Sequence, residues 1–393
     1  MFSQAINVID QKTKTNLEKR GRGAAILISV CILILLCIVF SDPRRETLPV
    51  GDNGKGFASY LPIQVSMIFA ILFFIAIMVG TYFASKELQA CFLKNYQEKS
   101  TVWCLFVALA VPQVATFINI LLRVYLFADV GIELTNRIAP FFLVELFCFP
   151  VIMGALSLVL VLDKKKPNTK FNKIALPLIV AGISFTLSCL LYVAIVRTFS
   201  TVLIIVLISI FSDSGAYFIG VFFGKHKMSK YISPKKTWEG FFGGLIISLV
   251  ITLLVLLMYS IQDGQKVYSM QSNFLGKQYG SDAILDTSPF YAGAELVNYG
   301  WWIAVCVFVL FLIVMSVFGD LLFSLFKRKN DIKDYGNIIA GHGGILDRFD
   351  SHLSVCFFYS IITIFCSIVS YCLGADAFFN VGFTSPLTPI SNT

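Results

Sequence analysis

Charge is scarce in this chain. Of 393 residues, 14% are Asp, Glu, Lys or Arg, against about 25% in an ordinary soluble domain. Hydrophobic residues make up 57% and the mean hydropathy is +0.80. That balance excludes a soluble globular domain and describes a polytopic membrane protein. A thiolate metal framework is missing as well. The ten cysteines are Cys31, Cys37, Cys91, Cys104, Cys148, Cys189, Cys306, Cys356, Cys366 and Cys372. Nearly all lie inside apolar runs and none form a CxxC pair, so they read as buried small hydrophobes. The first apolar run lacks a small-residue cleavage site, and further runs recur to residue 373, which a single signal peptide does not explain. No internal repeat is visible. A formal charge of +8 is modest for nucleic-acid binding, and nucleic acid is not an expected partner.

Nine runs are long enough, at about 20 residues, to cross a bilayer as helices. They are 24–41, 61–84, 102–127, 139–162, 174–196, 201–224, 241–261, 300–323 and 353–373. The expected fold is therefore an all-α polytopic membrane protein. With the N-terminus in the cytoplasm, the inside segments hold 23 Lys and Arg and the outside segments seven. This bias obeys the positive-inside rule and puts the C-terminus outside. Most of the +8 is thus topology, with attraction of anionic lipid head groups as its sharper reading. N-terminal helices and a cytoplasmic tail (1–135) precede a transmembrane catalytic region (136–393) with cytoplasmic loops at 225–240 and 324–352.

Two carboxylates sit where a membrane disfavours them. Asp213 lies mid-span in Ser212-Asp213-Ser214-Gly215. An ionisable group at that depth is a functional candidate; the plainer reading is a helix break with Asp213 hydrogen-bonded structurally. Asp320 lies about one turn from the cytoplasmic end of its span and just before the richest motif. Glu145 lies some two turns into its span and Arg123 near the outer end of its own, and snorkelling or pairing accounts for both.

The first motif loop carries Lys225-His226-Lys227 and Ser233-Pro234-Lys235-Lys236-Thr237-Trp238-Glu239-Gly240. Lysine charges, the hydroxyls of Ser233 and Thr237, a stiffening Pro and the Gly243-Gly244 pair opening the next helix all suit a phosphate. A basic juxtamembrane loop is expected in any case, so this loop alone is weak evidence.

The second is far more specific. Ser324, Lys327-Arg328, Lys333-Asp334, Gly336, Gly341-His342-Gly343-Gly344, Asp347-Arg348 and Asp350 follow in 27 positions. The glycines allow close backbone approach to phosphate oxygens. Lys327, Arg328, Lys333 and Arg348 supply positive charge. Asp347 and Asp350 are three apart and share one helix face. Together with Asp320 they form an oxygen set suited to Mg²⁺, which takes one or two carboxylates and fills its octahedron with phosphate and water. His342 is either a structural hydrogen-bonder or a donor to phosphate. A Gly-rich turn ahead of a charged helix start does not by itself explain this interleaving of basic and acidic residues.

The block from Ser324 to Asp350 resembles the phosphatidate cytidylyltransferase (CDP-diacylglycerol synthase) family. Ser233 to Gly240 and Asp213 in Asp-x-x-Ala-Tyr are similar to further family motifs, and the likeness is clear from about residue 200 to 373. Ala340 stands where relatives often carry Pro. The resemblance implies that CTP and phosphatidic acid react to give CDP-diacylglycerol and pyrophosphate, with Mg²⁺ and a second cation near it. It implies catalytic roles for Asp320, Lys327, Arg328, Lys333, Asp347, Arg348 and Asp350. Substrate contacts would come from Asp213, Ser233, Lys235, Lys236, Thr237, Glu239, His342, Gly343 and Gly344. The expected partners are CTP, phosphatidic acid and membrane lipids, with a homodimer as a candidate assembly. The expected location is a bacterial plasma membrane, with the site facing the cytoplasm. Another CTP-using membrane enzyme such as a polyprenol kinase is the nearest alternative; an anion transporter fits the ordered motif poorly.

Overall fold

The computed structural model describes residues 29–38, 40–41, 63–94, 98–122, 149–157, 170–197, 199–229, 231–261, 299–336 and 343–373. His342, Gly341, Ala340 and the polar loop at 262–298 lie outside these residues. The helices in chain order are α1 (Ser29–Ile38), α2 (Ile63–Phe92), α3 (Lys99–Ile120), α4 (149–157), α5 (Lys170–Tyr192), α6 (Phe199–Phe223), α7 (Trp238–Ile261), α8 (Tyr299–Lys329) and α9 (Leu346–Leu373). A short π-helical turn, Val193–Arg197, links α5 to α6.

Among the described residues, six helices are long and apolar enough to cross a membrane: α2, α3, α5, α6, α7 and α8. The chain is an integral, predominantly helical membrane protein. Helix is forced on it, because a spanning segment must satisfy its own backbone. Large side chains such as Ile174, Leu178, Phe222 and Ile303 face outward, with about two thirds or more of each exposed. That arrangement suits a lipid solvent.

Three features depart from the sequence expectation. Helix α2 runs to Phe92, about two turns past the expected end at 84. Helix α8 runs to Lys329, so Ser324, Lys327 and Arg328 stand on a helix and not in a loop; basic residues in a last turn complement the helix dipole. The third is a small sheet. Between α6 and α7, strands β1 (Lys227–Ser229) and β2 (Ser233–Thr237) pair antiparallel, Lys227 opposite Thr237 and Ser229 opposite Ser233. The protein is therefore not purely helical.

Helices α6 and α7 flank this hairpin and approach closely. A Cβ on Gly244 would lie 2.5 Å from the Ser212 carbonyl, and one on Gly243 2.5 Å from the Ile219 side chain. Small residues let membrane helices meet backbone to backbone. Because α7 starts at Trp238, the Gly243-Gly244 pair lies inside the helix. It packs against α6 and does not open a helix toward an anion, as the sequence had suggested.

Two buried clusters hold the bundle. One gathers Phe73, Ile120, Ile205, Leu312 and Tyr359. The other gathers Leu88, Phe92, Leu109, Leu176, Phe323, Tyr335 and Leu346. This second cluster packs α2, α3 and α5 directly against the motif-bearing ends of α8 and α9.

Candidate functional site

The hairpin is built by residues that the sequence had marked for substrate. Thr237 is the N-cap of α7: its hydroxyl accepts the Gly240 N–H at 3.2 Å, as an N-cap side chain should. Glu239, in the first turn, reaches back to accept the Lys225 and His226 N–H groups, each at 3.1 Å, and pairs with His226 Nδ1 at 2.6 Å. Lys227 donates to the Pro234 carbonyl at 2.6 Å. Thr237 and Glu239 therefore shape the loop from within, their polar atoms already engaged. Ser233 opens β2 opposite Ser229. The Lys235 side chain lies outside the described residues.

Lys236 points the other way. Its ammonium lies 2.5 Å from an Asp320 carboxylate oxygen, about three quarters of each side chain being covered. Asp320 also accepts the Ser324 hydroxyl at 3.3 Å. Asp213 on α6 is within electrostatic reach of both Asp320 and Lys236. Asp350 on α9 is within reach of Asp320, Lys327 and Asp213, and is 7% exposed. Carboxylates from α6, α8 and α9 are thus within electrostatic reach of one another, with Lys236 and Lys327 as counter-charges.

Asp347 stands beside this cluster with partners of its own. Lys327 Nζ lies 2.6 Å from its Oδ1, and both side chains are nearly buried. Oδ2 accepts the Tyr335 N–H at 2.8 Å and the Gly344 N–H at 2.9 Å. The Lys327 ammonium also lies 5.3 Å from the centre of the Tyr335 ring. Burial pushes the Tyr335 phenol upward, and its hydroxyl donates to the Phe323 carbonyl at 3.1 Å. Asp213 thus joins Asp350 within electrostatic reach of Asp320. Asp347 serves as the knot of the following loop.

The loop itself begins with a tight helix end. Asp331 takes a left-handed conformation, φ 54°. Its N–H bonds the Arg328 carbonyl while the Ile332 N–H bonds that of Lys327, at 3.2 and 3.0 Å; this is a Schellman closure. Arg328 then donates to the Ile232 and Ile332 carbonyls, at 3.4 and 3.2 Å, tying the hairpin to the second motif. Lys333 and Arg348 are exposed. Gly343 needs its glycine: φ is +88°, and a Cβ would lie 3.1 Å from Asp347 Oδ2.

Among the described residues, no three His, Cys, Asp or Glu are gathered at metal-binding spacing. The donor chemistry nevertheless fits magnesium. Asp320 and Asp350, with Asp213 beside them, offer only hard oxygen donors and carry mutual repulsion that a cation relieves. Two carboxylates suffice where substrate phosphates complete the shell.

One participant went unread in the sequence. Glu87 on α2 is buried and accepts the Ile345 and Leu346 N–H groups at the start of α9. Its signal was an acidic residue in a helix that continues past its apolar run.

A model of the cytidylyltransferase family matches residues 57–366. The chain is 37% identical over 155 residues to phosphatidate cytidylyltransferase of Bacillus subtilis, covering 39% of this chain and 44% of that protein. For the enzymes of the same name from Staphylococcus aureus and Haemophilus influenzae, identity is 36% over 153 residues and 33% over 154. These stretches cover 39% of this chain in each case, and 45% and 42% of the relatives. The chain spans less than half the length of the curated relatives it matches.

Proposed function

Since the chain belongs to the cytidylyltransferase family, we propose that it converts CTP and phosphatidic acid to CDP-diacylglycerol and pyrophosphate. The observation that carries this reading is the meeting of two basic motifs at neighbouring carboxylates: Lys236 pairs with Asp320, and Lys327, paired with Asp347, is within electrostatic reach of Asp350. A phosphate oxygen of the lipid attacks the α-phosphorus of CTP. The bond from that phosphorus to the bridging oxygen breaks, and its electron pair leaves with pyrophosphate. The lipid phosphate is already ionised near neutral pH, so no general base is required. Catalysis is then positioning and neutralisation of charge. Lys236, Lys327, Arg328, Lys333 and Arg348 supply the positive groups for two mutually repelling anions.

Asp320 and Asp350 would hold magnesium beside Asp213, with Asp347 joining once Lys327 turns to phosphate. When bound, the ion neutralises the triphosphate and eases loss of pyrophosphate. A second cation, the outward-facing C-terminus, nine spans, a cytoplasmic site in a bacterial plasma membrane and a homodimer belong to the same proposal. The charge bias of the loops supports the orientation and the cytoplasmic side of the site.

The test is a magnesium-dependent assay in lipid nanodiscs with CTP labelled at either the α or the γ phosphate. Label from the α position should enter the lipid fraction while the γ label leaves as pyrophosphate. Lipid labelled only from the γ position would overturn the reading in favour of a CTP-dependent lipid kinase.

A further inference from the structure

Glu87 is the one acidic side chain that the N-terminal half of the described chain extends into the second motif. It sits near the end of α2 and is 2% exposed. Its Oε1 accepts the Ile345 N–H at 2.7 Å and its Oε2 the Leu346 N–H at 2.8 Å. The first N–H groups of a helix have no acceptor within that helix, so α9 takes its acceptor from α2. The polarity is favourable, because the N-terminal end of a helix attracts a carboxylate.

The space around Glu87 is made by motif glycines. A Cβ on Gly344 would lie 2.5 Å from Glu87 Oε1, and one on Gly336 3.1 Å from it. Any side chain at 344 would push the carboxylate off the backbone. Asp347 takes the preceding Gly344 N–H at 2.9 Å. Two carboxylates thus divide three consecutive amides, Gly344 to Asp347 and the next two to Glu87. The first turn of α9 has its starting point and its rotation fixed. That rotation decides where Asp347, Arg348 and Asp350 project.

We infer that Glu87 is a positioning residue for the reaction: it clamps the start of α9 so that Asp350 meets Asp320 and Asp347 meets Lys327. It touches no reacting atom. The inference rests on the proposed reaction for its catalytic consequence and on the two hydrogen bonds for the clamp.

The experiment uses the full chain in nanodiscs and compares wild type, Glu87→Gln, Gly344→Ala and a control, Glu98→Gln. Glu98 is an exposed residue outside the site. Hydrogen–deuterium exchange reads the amides of 344–350 directly, and steady-state kinetics read kcat, KM for CTP and the magnesium concentration for half activity. An isosteric amide keeps the volume but turns a donor toward one of the two N–H groups. Glu87→Gln should accelerate exchange at Ile345 and Leu346 about tenfold or more, the size expected on losing a charge-assisted hydrogen bond. It should lower kcat about tenfold or more, since small misplacement of a catalytic constellation is costly. KM for CTP should change little, the magnesium requirement should rise, and the melting midpoint should fall by no more than a few degrees, as expected for one lost buried hydrogen bond. Gly344→Ala, which attacks the same contact from the other side, should reproduce the kinetic pattern. Unchanged exchange in both variants, or loosened amides with wild-type kcat, overturns the inference. Absence of cytidylyl transfer in the wild type, with these amides still loosened by Glu87→Gln, upholds the clamp and sinks only the proposed reaction.

Discussion

The Lys236 ammonium lies 2.5 Å from the Asp320 carboxylate and joins the hairpin to helix α8 at the acidic cluster. Carboxylates from three helices, within electrostatic reach of one another, would repel. The lysine answers that charge without filling the site permanently, since its flexible stem lets the ammonium turn to another anion.

Lys236→Ala should therefore act on substrate more than on fold. The pair is a fifth to a quarter exposed, so its loss should cost under about 1 kcal/mol of stability. The KM for CTP should rise about tenfold or more, the scale of a lost charge-assisted contact. Steady-state kinetics with CTP varied at saturating phosphatidic acid check this. Unchanged kinetics would remove Lys236 from the phosphate site.

Lys327 and Asp347 form a tighter case, with side chains 11% and 7% exposed. Asp347→Asn strands a buried ammonium and should destabilise the protein by about 3–5 kcal/mol. Turnover should fall about a hundredfold or more. The double variant Lys327→Met with Asp347→Asn removes the stranded charge and should regain much of the stability without regaining activity. Thermal unfolding and the lipid-labelling assay separate the two outcomes. Recovery of turnover in the double variant would mean that neither charge serves the chemistry.

Much of this was readable from sequence, and the unread part has a pattern. Composition and apolar run length gave the membrane class, because both are set by the bilayer. The spacing of Asp347 and Asp350 correctly gave a helix, but not its partner: three-residue spacing places two side chains on one face and says nothing about Asp213 arriving from α6. Thr237 caps α7 and Glu239 holds the amides of Lys225 and His226, and these backbone contacts are uses of a hydroxyl and a carboxylate that a residue pattern alone does not display. Glu87 was invisible for the same reason. Its partners are amides 258 and 259 residues away, and a backbone N–H leaves no mark in a sequence.

Gly343 offers a test of the loop alone. Its φ of +88° is one that other residues adopt at a cost, and a Cβ would press on Asp347 Oδ2 at 3.1 Å. Gly343→Ala should lose about 1–2 kcal/mol of stability. It should also slow turnover, because the displaced Asp347 is the acceptor for Tyr335, Gly344 and Lys327. Measured by thermal unfolding and the labelling assay, wild-type behaviour on both counts would show that the loop relaxes without consequence.

Chelation should separate assembly from activity. If magnesium were needed to hold Asp213, Asp320 and Asp350 together, EDTA would lower the melting midpoint of the free protein. Lys236 and Lys327 already stand against these carboxylates, so EDTA should abolish turnover while leaving that midpoint unchanged. Adding CTP should then discriminate further. With magnesium present, CTP at about 100 times its Kd should stabilise the protein by about 2.7 kcal/mol; with EDTA the same CTP should stabilise it far less, because the triphosphate meets the acidic cluster without its counter-ion. Equal stabilisation by CTP in both conditions would show that the lysines alone hold the nucleotide and would remove the metal from binding. A midpoint that falls in EDTA without any substrate would instead make the ion part of the folded site, and the lysines secondary to it.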